Sequence, residues 1–288
     1  MQLLNKHEDQ LGRGLTYELW KNFPAGEILI RKDSNEGVGC QLDLGSPPYA
    51  PANTANLASG GGTHAFTDAT STIGGLTHAL YSGGQGFRLF NTADNSAAEV
   101  QWGGGAEPFC ISDTAADARE LIFECQFRVT TITTAELSFF IGLASAGVLA
   151  GDFITDAGAD VADLDMIGLA HMDADTTGVD VIYQIAGSGF VVHEADWGPT
   201  LAVNTWYTFG MRYLPNIKKV DLYWGSGDRT TSAFVKDDNP ILSTDIDDAT
   251  FPDGQGLAPI IATKAGSAND ASLDIRAMAC AQVAYPAD

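Results

Sequence analysis

The sequence is short of cysteine, of basic residues and of long apolar runs. Four cysteines in 288 residues are widely spaced without a Cys-x-x-Cys pair, so neither a zinc site nor a redox motif is predicted. The 15 basic residues face 37 acidic ones, and the net charge of −22 disfavours nucleic acid and membrane surfaces as partners. No run approaches the roughly 20 apolar residues of a membrane-spanning helix. Residues 1–10 lack the basic-then-apolar order of a signal peptide, so we expect assembly in a cytoplasm.

The four cysteines are expected to be thiols. Cys125 alternates in phase with the apolar residues of 121–129, which predicts a buried strand position. The other three are Cys40, Cys110 and Cys280. A bridge between Cys110 and Cys125 is the alternative.

Strand patterns recur from residue 107 onward. In residues 204–227, Tyr207, Phe209 and Met211 alternate with residues of the opposite face, and Pro215 and Asn216 mark a turn before a second alternating stretch. No helical period of comparable length appears. Further strand patterns cover residues 108–111, 120–130, 136–144, 165–171, 179–186, 190–193, 257–263 and 272–285. We therefore predict an all-β fold, a two-sheet antiparallel sandwich.

The N-terminal part differs in composition. Residues 1–36 hold 5 basic and 6 acidic residues, and residues 45–62 are rich in proline and glycine, as in an extended connector. We predict an irregular N-terminal arm with its connector, 1–62, and a β-sandwich domain, 63–288. The arm's apolar residues are expected to contact a partner protein, and packing of Trp20 and Phe23 onto the main domain is the alternative. The predicted partner-binding residues are Leu3, Leu4, Trp20 and Phe23.

Several strands together resemble a known fold family. They are Glu-Leu-Ile-Phe-Glu-Cys-Gln-Phe-Arg-Val at 120–129, Phe-Ile-Gly-Leu-Ala at 140–144, Trp-Tyr-Thr-Phe-Gly-Met-Arg-Tyr at 206–213, Val-Asp-Leu-Tyr-Trp-Gly at 220–225, and the final strand at 273–283. Residues 100–288 resemble the concanavalin A-like lectin/glucanase jelly roll, in the version found in structural proteins of tailed bacteriophage virions.

The resemblance implies a capsid decoration or cement protein. Its expected partner is the major capsid protein of the phage shell, bound through the N-terminal arm. The expected location is the outer capsid surface of a virion assembled in the host cytoplasm. Because symmetric self-association lets weak contacts act together, we expect a homo-oligomer, with a trimer favoured.

Enzymatic activity is not predicted. Glucanases of this fold carry a strand motif Glu-x-Asp-x-Glu, which places three carboxylates on one face. The nearest approaches here, Asp163-Leu-Asp165 and the stretch from Glu120 to Glu124, lack the third carboxylate. No catalytic residue is therefore assigned.

A metal ion is not predicted either. Residues 173–180, Asp-Ala-Asp-Thr-Thr-Gly-Val-Asp, match the first half of a calcium loop. Gln184 stands where that loop needs a bidentate glutamate, so we favour a polar turn between two strands. No cofactor is predicted.

A carbohydrate-binding, lectin-like module of a phage particle or appendage, without hydrolytic activity, is the alternative function. Trp197, Trp206 and Trp224 are the tryptophans considered for stacking on a pyranose ring. Alternation places Trp206 and Trp224 within the sandwich sheets and favours buried core aromatics, so loop-borne Trp197 is the predicted carbohydrate contact.

Overall fold

The alternating stretches of the sequence form antiparallel strands in the computed structural model. The structure describes residues 16–20, 37–41, 56–58, 65–70, 74–81, 84–91, 93–102, 107–114, 118–132, 137–148, 152–155, 160–172, 178–227, 233–266 and 271–283. Three of the predicted arm residues, Leu3, Leu4 and Phe23, lie outside these ranges.

The described residues form seventeen strands, two one-turn α-helices and one 3-10 turn. The helices are α1 (Tyr17–Trp20) and α2 (Ser243–Ile246). The strands are β1 (Gly37–Gln41), β2 (Asn56–Ala58), β3 (Ala65–Thr70), β4 (Gly74–Tyr81), β5 (Gly84–Asn91), β6 (Ala97–Trp102), β7 (Phe109–Cys110), β8 (Leu121–Val129), β9 (Ser138–Ala144), β10 (Met166–His171), β11 (Asp180–Gln184), β12 (Val191–Glu194), β13 (Trp206–Leu214), β14 (Lys219–Ser226), β15 (Ala233–Lys236), β16 (Gly256–Lys264) and β17 (Ala271–Val283).

The strands build two antiparallel sheets. One sheet has the order β15-β14-β13-β8-β17-β5-β4, and β1 also pairs with β17. The other has the order β12-β11-β10-β9-β16-β6-β3-β2, and β7 also pairs with β16. We call them the eight-stranded and the nine-stranded sheet. The predicted all-β fold, a two-sheet antiparallel sandwich, is confirmed.

The predicted hairpin is also confirmed. β13 and β14 pair in register from Tyr207 opposite Ser226 to Leu214 opposite Lys219. Pro215 opens a 3-10 turn, and Lys218 closes it with a left-handed φ of 44°. The turn therefore reverses the chain without a glycine.

The main core lies between the two sheets. Side chains at alternate positions of β8 and β13 meet those of β9 and β10 from the facing sheet. The rings of Phe127 and Phe139, one from each sheet, have centroids 5.5 Å apart. Burial of each such side chain contributes roughly 1.5–3 kcal/mol, so this interface supplies most of the hydrophobic stabilisation.

The outer face of the nine-stranded sheet is covered by the chain itself. Segments 152–155 and 160–164 lie across it and bury an apolar cluster that includes Phe140, Met166 and Ile260. Phe153 packs against Phe140 with ring centroids 5.0 Å apart. This face is therefore an interior surface where β9, β10, β11 and β16 contribute to the cluster.

Backbone pairing crosses the predicted boundary at residue 62. β1 pairs with β17, and β2 pairs with β3. Residues 37–41 and 56–58 thus belong to the sheets. The boundary was predicted from proline and glycine content, which does not report on pairing between distant strands. None of the described helices is long and apolar enough to cross a membrane.

Candidate functional site

Trp20 lies on the outer face of the eight-stranded sheet. Its side chain is 0 % exposed and packs in a cluster with Leu19, Ile122 and Tyr223. The indole Nε1 donates to Glu124 Oε2 at 2.7 Å, and the backbone N of Thr16 donates to the same oxygen at 2.9 Å. Trp20 therefore packs onto the sandwich, which is the alternative weighed for it in the sequence.

Trp197, the predicted carbohydrate contact, is buried in the edge of the sandwich. Its side chain is 1 % exposed, and its Nε1 donates to Asp237 Oδ2 at 2.5 Å. The ring meets Trp224 and Phe209 edge-on, with centroid distances of 5.1 and 5.8 Å. The residue does lie in a loop, but the loop turns inward to fill the gap between the sheets. Its ring offers no face to a sugar.

Of the three tryptophans considered, Trp206 is partly exposed, so it is not the buried core aromatic that alternation favoured. It is the first residue of β13, and its side chain lies on the face opposite to the core residues Tyr207 and Phe209. The guanidinium groups of Arg128 and Arg276 lie over its ring, 4.9 and 4.7 Å from the centroid. Such cation–π contacts hold the three side chains together.

Strand register places further charged groups beside Trp206. Arg128 on β8 is opposite Trp206 on one side and opposite Asp274 of β17 on the other. Asp274 is in turn opposite Arg88 of β5. Four adjacent strands thus contribute one row of side chains, Trp206, Arg128, Asp274 and Arg88. An irregularity between Ile275 and Ala277 adds Arg276. We call these five side chains the arginine patch: Arg88, Arg128, Trp206, Asp274 and Arg276.

Hydrogen bonds fix the patch from below. Asp274 is fully buried and accepts from two nitrogens of Arg88, at 2.6 and 3.1 Å, and two of Arg128, at 3.0 and 2.6 Å. Arg276 Nε donates to Gln126 Oε1 at 2.6 Å, and Gln126 Nε2 donates to Thr208 at 3.1 Å. Charge-assisted hydrogen bonds of this kind order the arginine side chains.

The carboxylates that come nearest to a glucanase motif in the sequence form hydrogen bonds and ion pairs within the fold. Asp163 Oδ1 accepts from Gln184 Nε2 at 3.1 Å and from the backbone N of Gly187 at 2.5 Å. Asp165 Oδ1 accepts from the backbone N of Ala186 at 2.8 Å. Glu120 forms an ion pair with Arg212. These groups hold loops and strands through these contacts.

The calcium-like stretch falls largely outside the described residues, which resume at Gly178. Asp180 Oδ1 accepts from the backbone N of Asp196 at 2.9 Å and so closes the turn after β12. Within the described ranges, no group of three or more histidine, cysteine or acidic side chains is placed to hold a metal ion.

The described cysteines are thiols. Cys110, Cys125 and Cys280 form no disulfide, so the alternative bridge between Cys110 and Cys125 is wrong. Burial, and then the nearby charge of Glu124, raises the pKa of Cys125 well above its ordinary value. The side chain of Cys40 lies outside the described part.

Glu99 is a buried carboxyl beneath the covering segments of the nine-stranded sheet. Its Oε1 accepts from the backbone N of Phe153 at 2.5 Å. Burial is the main cause that raises the pKa of Glu99 to about 8, and the charge of Asp152 acts in the same direction. The hydrogen bond from Phe153 and the charge of Lys264 lower the pKa. The group thus ties the covering segment to the sheet and is mostly protonated at neutral pH.

Comparisons with known proteins concern the fold. The sequence matches no protein-family model. It matches no curated protein sequence. The structure is similar to peanut lectin, with a TM-score of 0.48 and 13 % identity over 86 % of this chain and 97 % of the lectin. It is similar to lectin II from Ulex europaeus, with a TM-score of 0.48 and 12 % identity over 85 % and 98 %.

A third similar structure comes from a phage. It is a conserved carbohydrate esterase from the Shiga toxin-encoding bacteriophage phi24B, with a TM-score of 0.40 and 14 % identity over 76 % of this chain and 89 % of the esterase. With TM-scores below 0.5, these similarities carry no argument about the ligand or role of this chain.

The sequence held only a weak signal for the arginine patch. Arg88, Arg128 and Asp274 occupy polar positions of alternating strands, as do many solvent-facing residues. They lie up to 186 positions apart in the chain. Only the strand order joins them, and that order is not readable from local patterns.

Proposed function

We propose that this protein is a carbohydrate-binding, lectin-like module without hydrolytic activity, and that the arginine patch is its binding surface. The observation that supports this is the placement of partly exposed Trp206 beside Arg128 and Arg276 on the outer face of a sheet. Sugar sites combine an aromatic surface with a few fixed polar groups. The patch has both.

The absence of hydrolysis is part of the proposal. Glycosidases need two carboxyl groups facing one scissile bond. In the patch, the single carboxylate is that of Asp274, which is buried and paired with two arginines. A surface of this composition binds and releases a sugar chain but has no acid and base to cleave it.

We place this module on a phage particle, following the resemblance seen in the sequence. There the major capsid protein is the expected partner, and a homo-oligomer, with a trimer favoured, would display several copies of the patch. Repeated weak sugar contacts would then act together through their effective concentration. Sugar binding and capsid attachment are compatible, because they use different surfaces in this proposal.

Retention on polysaccharide resins, run beside co-sedimentation with phage particles, tests the proposal. We expect the wild-type protein to be retained on at least one resin and Trp206→Ala to elute unretained. Trp20→Phe changes a tryptophan on the same sheet face and should leave retention unaltered. Co-sedimentation with particles, together with no retention on any resin, would favour capsid decoration and contradict sugar binding.

A further inference from the structure

Three ionisable side chains meet on the outer face of the nine-stranded sheet, where segment 152–155 covers β6 and β16. Glu99 on β6 is directly opposite Ala262 on β16. Lys264 is two positions further along β16 and is therefore diagonal to Glu99 on the same face. Side chains in this diagonal relation are within reach of each other when one of them is long. Strand register thus places Lys264 beside Glu99.

The covering segment brings a second carboxyl group to this point. The backbone N of Phe153 donates to Glu99 Oε1 at 2.5 Å, and the Phe153 ring packs against Phe140, with centroids 5.0 Å apart. These contacts fix the preceding residue, Asp152, whose Oδ2 forms an ion pair with Lys264 Nζ. The charges of Asp152 and Lys264 both act on Glu99. A lysine, a carboxylate and a protonated carboxyl group are thus held together by separate contacts.

Lys264 lies where a charge is costly. Its side chain is 1 % exposed, and its neighbours on the same face of β16, Ala262 and Ile260, belong to the buried apolar cluster. Burying an ammonium group costs free energy even when the group is paired, whereas an amide carries no charge. The side chain of Asp152 is 43 % exposed, so a water molecule released at its carboxyl group reaches solvent. The surroundings therefore favour a neutral product over the ion pair.

From this arrangement we propose that Lys264 and Asp152 join in an intramolecular amide bond, an isopeptide cross-link, with Glu99 as the proton carrier. The modification needs no second protein, cofactor or oxidant. The ion pair that the structure describes is the state from which the bond forms. The cross-link lies on the nine-stranded sheet and is independent of the arginine patch on the other sheet.

The reaction balances without a further reactant. Within the ion pair, a proton passes from the ammonium group to the carboxylate, which leaves a neutral amine and a carboxylic acid. The lone pair of Lys264 Nζ then attacks Cγ of Asp152. Glu99 gives its proton to the departing hydroxyl group and takes one from the nitrogen, so the C–O bond breaks and one water molecule leaves. One ammonium group and one carboxylate thereby become one amide and one water, and Glu99 ends protonated, as it began.

Proximity drives this condensation. Groups held in the right geometry react with effective molarities of about 10⁵–10⁸ M. A positioned acid and base adds a factor of about 10²–10⁴ to the rate. The bond joins positions that are 112 apart in the chain and fixes segment 152–155 over the sheet. Closing such a loop restricts the unfolded chain, which adds stability that does not vary with pH.

Mass spectrometry of the intact full-length protein, denatured after purification, tests the proposal. We expect the wild-type protein to be lighter by one water molecule than the mass calculated for its chain. Proteolysis should yield one branched peptide that contains both Asp152 and Lys264. Lys264→Arg keeps the positive charge but has no reactive amine, so it should have the full calculated mass. Glu99→Gln keeps an acceptor for the Phe153 N–H but carries no proton to transfer, so bond formation should be at least about a hundredfold slower.

Asp221→Asn is the matched control, because Asp221 also pairs with lysines, Lys219 and Lys236, but lies on the eight-stranded sheet. This variant should lose one water molecule as the wild-type protein does. Each variant must keep a cooperative melting transition, and the branched peptide of the wild-type protein decides the matter even where a variant fails to fold. A wild-type protein of full mass, or a water molecule lost without the branched peptide, would overturn the proposal. A cross-link that forms equally fast in Glu99→Gln would overturn the role of Glu99.

Discussion

Replacing Glu99 by glutamine should make the protein more resistant to unfolding as the pH rises. Glu99 is 4 % exposed, and burial raises its pKa from 4.5 to about 8. Between those two values the carboxyl is ionised in the unfolded chain and protonated in the folded protein. In that range the folded protein holds one more proton than the unfolded chain. The contribution of Glu99 to stability is therefore complete below pH 4.5 and is lost as the pH approaches 8.

The size of the effect follows from linkage. Each pH unit between the two pKa values removes about 1.4 kcal/mol from the free energy of unfolding, on the order of 5 kcal/mol across the whole interval. Glutamine has nearly the same shape, and its carbonyl oxygen can accept the Phe153 N–H, but it does not titrate. The difference in unfolding free energy, Glu99→Gln minus wild type, should therefore grow with pH and level off above about pH 8.

Urea unfolding at half-unit steps from pH 5 to pH 9, followed by tryptophan fluorescence, measures this difference. Other titrating groups are common to both proteins and cancel in the subtraction. Asp94→Asn, the same chemical change at an exposed turn position, supplies the background. A difference that stays flat from pH 5 to pH 8 would show that Glu99 is already ionised in the folded protein, and the account of its burial would be refuted.

Three further perturbations test the packing. Trp20→Phe removes the indole donor to buried Glu124 and should cost about 1–3 kcal/mol in urea unfolding; no loss would mean that α1 does not hold this contact. Gly198→Ala places a Cβ 2.8 Å from the Trp224 ring at a φ of +76° and should destabilise more than Gly187→Ala, whose Cβ meets nothing within 4 Å at a φ of +89°. Equal melting temperatures of the two glycine variants would contradict this prediction. Cys125 is fully buried, so it should stay unlabelled by a thiol reagent in the native protein and react on unfolding.

Much of the fold was predictable because strands leave a local signal. β8 and β13 have apolar side chains at alternate positions, and the predicted boundaries of both fall within one residue of those observed. β15 was not predicted, because its residues, Ala-Phe-Val-Lys, do not alternate between apolar and polar. Its place at the edge of the sheet comes from pairing with β14.

The site was harder to predict because it depends on neighbours that are distant in sequence. The segment Asp-Trp-Gly-Pro around Trp197 has the composition of a surface loop, yet the indole fills the sandwich edge against Trp224. Trp206 lies in a strand, as predicted, but it is partly exposed and not the buried core aromatic that alternation favoured. Alternation alone does not reveal that its face carries arginines from two other strands. Its loop position predicted an exposed Trp197, but tertiary contacts bury the side chain.

A glycan array of neutral and acidic glycans, probed in one run with the wild-type protein and with Trp206→Ala, tests the central claim most directly. The account predicts binding of the wild-type protein to at least one glycan, and loss of that binding in a variant that keeps the wild-type melting temperature. Trp206 lies outside the core between the sheets, so folding of the variant is expected. Undiminished glycan binding by Trp206→Ala would contradict the assignment of the arginine patch as the sugar site.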